Sequence, residues 1–112
     1  MAAGASAGLP TPPQAFSEFA AEHPDVVAAY ELLTQRIRSA GPLSDREVAL
    51  VKLAISIGAR MEGAAHAHAR KALSAGVEPE SLEHVVLLAC PTIGFPNMMA
   101  ARGWLRDVLA ER

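Results

Sequence analysis

The chain holds one cysteine, Cys90, in 112 residues. A single thiol can neither close a disulfide within the chain nor build a thiolate metal cluster. Aromatic residues are also scarce, at 4%. The 51% hydrophobic content is therefore carried mostly by Ala, Leu, Val and Ile. No run approaches the roughly 18 apolar residues of a membrane span. Lys and Arg form no patch, and the formal net charge is -2, so neither nucleic acid nor membrane is expected as a partner. The first sixteen residues lack the basic start and apolar run of a secretory signal, which makes a cytoplasmic setting the expectation.

What is present favours helices. Small aliphatic side chains let helices approach closely, and Ala leads the helix-propensity scale. A chain of this length is expected to form one domain that buries about two-thirds of its unfolded surface. Residues 1–13, with Gly4, Gly8, Pro10, Pro12 and Pro13, read as a flexible arm. Residues 14–112 read as a single all-α domain of about six helices.

The first helix is predicted over Gln14 to Glu22, burying Phe16, Phe19 and Ala20. Pro24 opens the second, which runs to Ser39 with Val26, Val27, Tyr30, Leu33 and Ile37 as its buried side. Ser44 and Glu47 have the spacing of a capping box. The helix behind them, to Ala59, is apolar almost all round, with Lys52 and Ser56 as its polar strip; such a helix is central or lies in a subunit interface. Gly58 suggests a break near Ala59 and Arg60. An Ala-rich helix follows from Met61 to Ser74, with Gly76 placed to cap its end. Pro79 opens the next, burying Leu82, Val85, Val86 and Ala89, and Pro91 and Gly94 mark its end. The last begins at Phe95-Pro96-Asn97 and buries Met98, Ala101, Leu105 and Val108. Arg102, Arg106 and Glu111 are left in solvent.

Four segments, read in order, carry a resemblance. They are Leu43-Ser44-Asp45-Arg46-Glu47, Arg60 through His68, Ala72 through Val77, and Ile93-Gly94-Phe95-Pro96 with Met98 to Ala101. Together they resemble the carboxymuconolactone decarboxylase family, with its "Leu-x-x-Arg-Glu" helix opening, its histidine segment, its "Ala-x-x-x-Gly" and its late "Gly-x-Pro" turn. The resemblance implies an alkylhydroperoxidase D-like helical bundle and homotrimers or homohexamers whose neighbours complete the site. It also implies a small-molecule substrate and no cofactor. The peroxidase branch of that family carries a Cys-x-x-Cys pair before its histidine. Those two positions hold Met61 and Ala64 here, neither of which can form the thiolate that reduces a peroxide. A thiol peroxidase is therefore not expected. The decarboxylase branch needs no cysteine, and its histidine matches His68.

His68 is thus the candidate catalytic residue, because imidazole titrates near neutral pH and can both take and give a proton. Its other reading is a surface histidine on an Ala-rich helix. Glu47 matches the family's acidic position and would orient the ring, although the capping box also accounts for it. Arg60 and Arg70 are candidates to hold a substrate carboxylate, with Lys71 beside them; solvated helix surface is the other reading of all three. No metal is expected. Glu62 and His66 share a helix face and could supply two ligands, but a site needs a third, and His84 lies on another helix. Cys90 reads as an inert buried thiol, Met98 and Met99 as core or interface filler, and Trp104 as a packing residue. The expected activity is cofactor-independent acid–base, lyase-type chemistry on a small carboxylated or lactone-like molecule. The alternative is a non-catalytic oligomeric or ligand-binding protein of the same fold.

Overall fold

The computed structural model describes residues 14–111, and all regular structure among them is helical. The expected arm, residues 1–13, lies outside the described residues. By internal packing the chain falls into two compact units, Met1–Leu43 and Ser44–Arg112, and each is described by itself.

The first unit contains α1 (Gln14–Glu22) and α2 (Pro24–Arg38). Pro24 sits in the first turn of α2, where its missing N–H has no helical partner to lose. The apolar stripes expected to be buried are not. Neither helix contains a buried residue, and Tyr30 and Ile37 are 66% and 63% exposed. Two helices make a single layer, and a core requires at least two. The periodicity is present, but among the described residues of this unit nothing buries it.

The second unit contains α3 (Asp45–Gly58), α4 (Glu62–Ser74), α5 (Pro79–Leu88), α6 (Cys90–Ile93) and α7 (Phe95–Leu109). Helix α3 packs on α4 and α5, and α7 packs on α4, α5 and α6. Leu53, Ile57, Leu82, Val86, Leu105 and Val108 form the aliphatic centre. Ala65, Ala69 and Ala72 line the inner face of α4 and are buried. Their short side chains allow α3 and α7 to close on α4 from two sides.

The ends of these helices are specified locally. Ser44 Oγ accepts from the Glu47 backbone N–H at 3.1 Å, and the Ser44 N–H donates to Glu47 Oε1 at 2.8 Å, completing the capping box. The neighbouring Arg46 donates to Glu78 at 3.1 Å and to Ser81 at 2.7 Å, joining the start of α3 to the start of α5. At the end of α4 the Val77 N–H reaches the Ala72 carbonyl and the Gly76 N–H reaches that of Leu73. Gly76 supplies the left-handed backbone that this Schellman closure needs, at φ 91°.

The end of α3 closes in the same way, with Met61 N–H on Ser56 and Arg60 N–H on Ile57. Here the left-handed position is held by Arg60, at φ 58°, which a side chain makes costly by about 1–2 kcal/mol. Arg60→Gly is therefore expected to be about 1 kcal/mol more stable than Arg60→Ala. Both variants lose the same side chain, so urea unfolding of the two isolates the backbone contribution.

Two further readings change. Ser56 is not on an outer polar strip: it is 4% exposed, and its hydroxyl donates to the Leu53 carbonyl at 2.8 Å. A hydroxyl satisfied by its own helix is small enough to bury. Lys52 is half-buried, while Val51 and Ile55 face outward. Where an end was expected at Pro91 and Gly94, Cys90–Ile93 forms the extra short helix α6, because Pro91 is compatible with a first turn. Gly94, at φ 101°, then redirects the chain into α7.

Candidate functional site

Helix α4 sets the positions of the candidate side chains. Each residue turns the helix by about 100°. With Ala65, Ala69 and Ala72 facing inward, His66 and His68 must leave on opposite flanks. His66 turns to α7, where its Nε2 lies 3.1 Å from Asp107 Oδ2. His68 turns to the other flank, into the field of Lys71 on its own helix and Lys52 on α3.

His68 is half-buried. Loss of solvent is the main influence on its ring and the two ammonium groups add to it; together they hold its pKa below the ordinary histidine value of 6.5. The ring is therefore uncharged at neutral pH and ready to accept a proton. A group whose pKa is depressed by folding contributes stability above its unfolded pKa. That contribution is lost as pH falls from about 6.5 through the lower, folded value.

Glu47 is occupied at the start of α3. Its carboxylate takes the Ser44 N–H, and the backbone and hydroxyl of Ser44 hold its pKa below the usual carboxylate value. Arg70 donates from Nε and Nη2 to the two carboxylate oxygens of Glu111, at 3.0 and 2.9 Å. Their mutual hydrogen bonding raises the arginine pKa and lowers that of Glu111. Arg60 is exposed and donates to Asn97 Oδ1. The cations that act on His68 are thus Lys52 and Lys71. Lys71 stood beside the arginines in the sequence. Lys52 belongs to the polar strip of α3, and it is the packing of α3 on α4 that lets its charge act on His68.

Glu62 and His66 acquire the third donor that the sequence could not supply, since Asp107 of α7 comes to the same point. A separate cleft of about 250 Å³ opens between α5 and α7, over Leu87, Met98 and Met99, with Glu83, Arg102 and Arg106 at its edge. Cys90 is half-buried against the core and is a free thiol. Met98 belongs to the core, Met99 is exposed, and Trp104 packs against the core. Among the described residues no helix is long and apolar enough to cross a membrane.

Neither a curated protein nor a solved structure matches the chain. Residues 24–107 match the model of the carboxymuconolactone decarboxylase family.

Proposed function

From its membership of the carboxymuconolactone decarboxylase family, to which this chain belongs by a match over residues 24–107, we propose a cofactor-independent lyase in which His68 carries the proton. The substrate class is a small carboxylated molecule whose departing carboxylate leaves its electrons beside a lactone or similar acceptor. The observation that carries this reading is the half-buried position of the His68 imidazole, whose pKa is lowered by loss of solvent and by the charges of Lys71 and Lys52. Two ammonium groups beside an uncharged base suit the binding of a carboxylate.

The order of events follows from electrostatics. An anion bound between Lys52 and Lys71 offsets the charges that depress the His68 pKa, so the ring takes a proton from solvent as substrate binds. The bond between the carboxylate carbon and its neighbour then breaks, CO₂ departs, and the electron pair delocalises into the lactone. The imidazolium N–H protonates the resulting carbanion, which restores the neutral ring. In this scheme Glu47 fixes the start of α3, the helix that carries Lys52, and stays out of the proton transfer. Arg70 holds Glu111 in place of substrate. CO₂ release from a panel of lactone acids, compared between the wild type and His68→Gln, tests the proposal. Wild-type turnover lost in the variant supports it. A wild type inert toward every carboxylated lactone favours a non-catalytic, ligand-binding member of the family.

The absence of cysteine at Met61 and Ala64 argues against thiol peroxidase chemistry. A cytoplasmic setting is in keeping with a chain whose single thiol has no disulfide partner within it. A homotrimer or homohexamer is part of the same proposal. Val51 and Ile55 on α3, Leu87 and Leu88 on α5, and Phe95 on α7 are all exposed in the single chain. Ile55, at 65%, is the most open of these. Size-exclusion chromatography with light scattering is expected to show an oligomer that Ile55→Lys shifts toward monomer. A monomeric wild type would contradict this part of the reading.

A further inference from the structure

We propose that Glu62, His66 and Asp107 bind one divalent transition-metal ion of the Zn²⁺ class, tying the C-terminal half of α7 to α4. The site lies on the flank of α4 opposite His68 and does not depend on the lyase reading.

The geometry is close to that of a chelate. Glu62 and His66 sit four residues apart on α4, and Asp107 faces them from α7. His66 Nε2 is 3.1 Å from Asp107 Oδ2 and 3.9 Å from Glu62 Oε2, and the three donor atoms lie within 4.8 Å of one another. Donors bound to one Zn²⁺ at about 2.0–2.2 Å stand roughly 3–3.5 Å apart. The His66–Asp107 pair therefore already has ligand spacing, and Glu62 needs only a small swing. The carboxylate side chains are each 60% exposed and can make it, while that of His66, at 19%, is held in place.

Charge points the same way. Two carboxylates converge on one ring nitrogen, which can serve only one of them well. Even a fully protonated His66 brings one positive charge against two negative ones. One turn further along α4, Arg70 pairs at 2.9 Å with Glu111, just past the end of α7, and the two charges cancel. A divalent cation balances the two carboxylates and accepts a lone pair from the imidazole nitrogen. A simple His66–Asp107 ion pair explains only two of the three groups, and leaves Glu62 facing a like charge. The mixed nitrogen and oxygen donor set suits Zn²⁺, Co²⁺ or Ni²⁺ over Ca²⁺ or Mg²⁺, which favour oxygen alone. Three protein donors leave further coordination positions for water.

The test is calorimetric titration of the chelator-treated, untagged full chain with ZnCl₂. Visible absorption with Co²⁺ reports the coordination. One ion per chain is expected, together with a rise in Tm of at least about 5 °C at a hundredfold excess over Kd. Asp107→Asn and Glu62→Gln keep side-chain shape, and each should weaken Zn²⁺ binding at least tenfold. His68→Gln should leave it unchanged while removing turnover, which separates this site from the proposed active site. Lack of saturable one-to-one binding, or wild-type affinity in Asp107→Asn, overturns the proposal. If His66→Ala fails to fold by circular dichroism, the two carboxylate variants decide the question by themselves.

Discussion

Replacing His68 with glutamine is expected to lower kcat for decarboxylation by about 10²- to 10⁴-fold, the usual contribution of a positioned proton carrier. Glutamine fills similar space and keeps a polar tip, but it cannot titrate. The helix it sits on is held by Ala65, Ala69 and Ala72 and by the closure at Gly76, none of which involves the ring. The thermal midpoint at neutral pH should therefore stay close to that of the wild type, so lost turnover would report chemistry. The variant should also lose part of the wild type's destabilisation below about pH 6.5, because it removes a group whose neutral form is favoured by folding. Equal activity in the wild type and variant, on any substrate the protein turns over, would remove His68 from the mechanism.

The largest effect on stability is expected from Leu82→Ala. Leu82 is 0% exposed. It lies in the first turns of α5, beside the clasp that Arg46 makes with Glu78 and Ser81. The side chain is anchored where α5 meets the core, so the surrounding helices have little freedom to close over the space it leaves. The loss should be about 2–5 kcal/mol, combining transfer and cavity contributions. That is a large part of the roughly 5–15 kcal/mol available to a whole domain. For a unit of this size it lowers Tm by well over about 10 °C. Thermal unfolding followed by circular dichroism gives the answer. A change below about 1 kcal/mol would mean that α5 is not held as the packing indicates.

The second unit was largely legible from its residues because its signals are local. Ser44 with Glu47 marks a helix start, Gly76 a helix end, and Met98, Ala101, Leu105 and Val108 a buried side, and all behave as read. What was not legible depends on neighbours. The apolar stripe of α2 has the right period but no second layer among the described residues of its unit. Ser56 looked polar and outward until its hydroxyl found the Leu53 carbonyl. Left-handed backbone at Arg60 gives no sequence sign, since the usual marker there is glycine.

The candidate site divides along the same line. Sequence separated His66 from His68 by helical rotation alone, and the two rings do leave on opposite flanks of α4. It could not supply Lys52 or Asp107, which arrive from α3 and α7 through tertiary packing. Nor could it show that Glu47 and Arg70 would be engaged by Ser44 and Glu111.

The central claim is that burial and the charges of Lys71 and Lys52 keep His68 uncharged at neutral pH, and that it gains a proton when an anion offsets those charges. The most direct measurement is the pKa of that ring by NMR titration of histidine-labelled protein, with and without a saturating lactone carboxylate. The free ring should titrate below 6.5 and move upward when the carboxylate binds. A free value at or above 6.5, or one indifferent to the bound anion, would contradict the account.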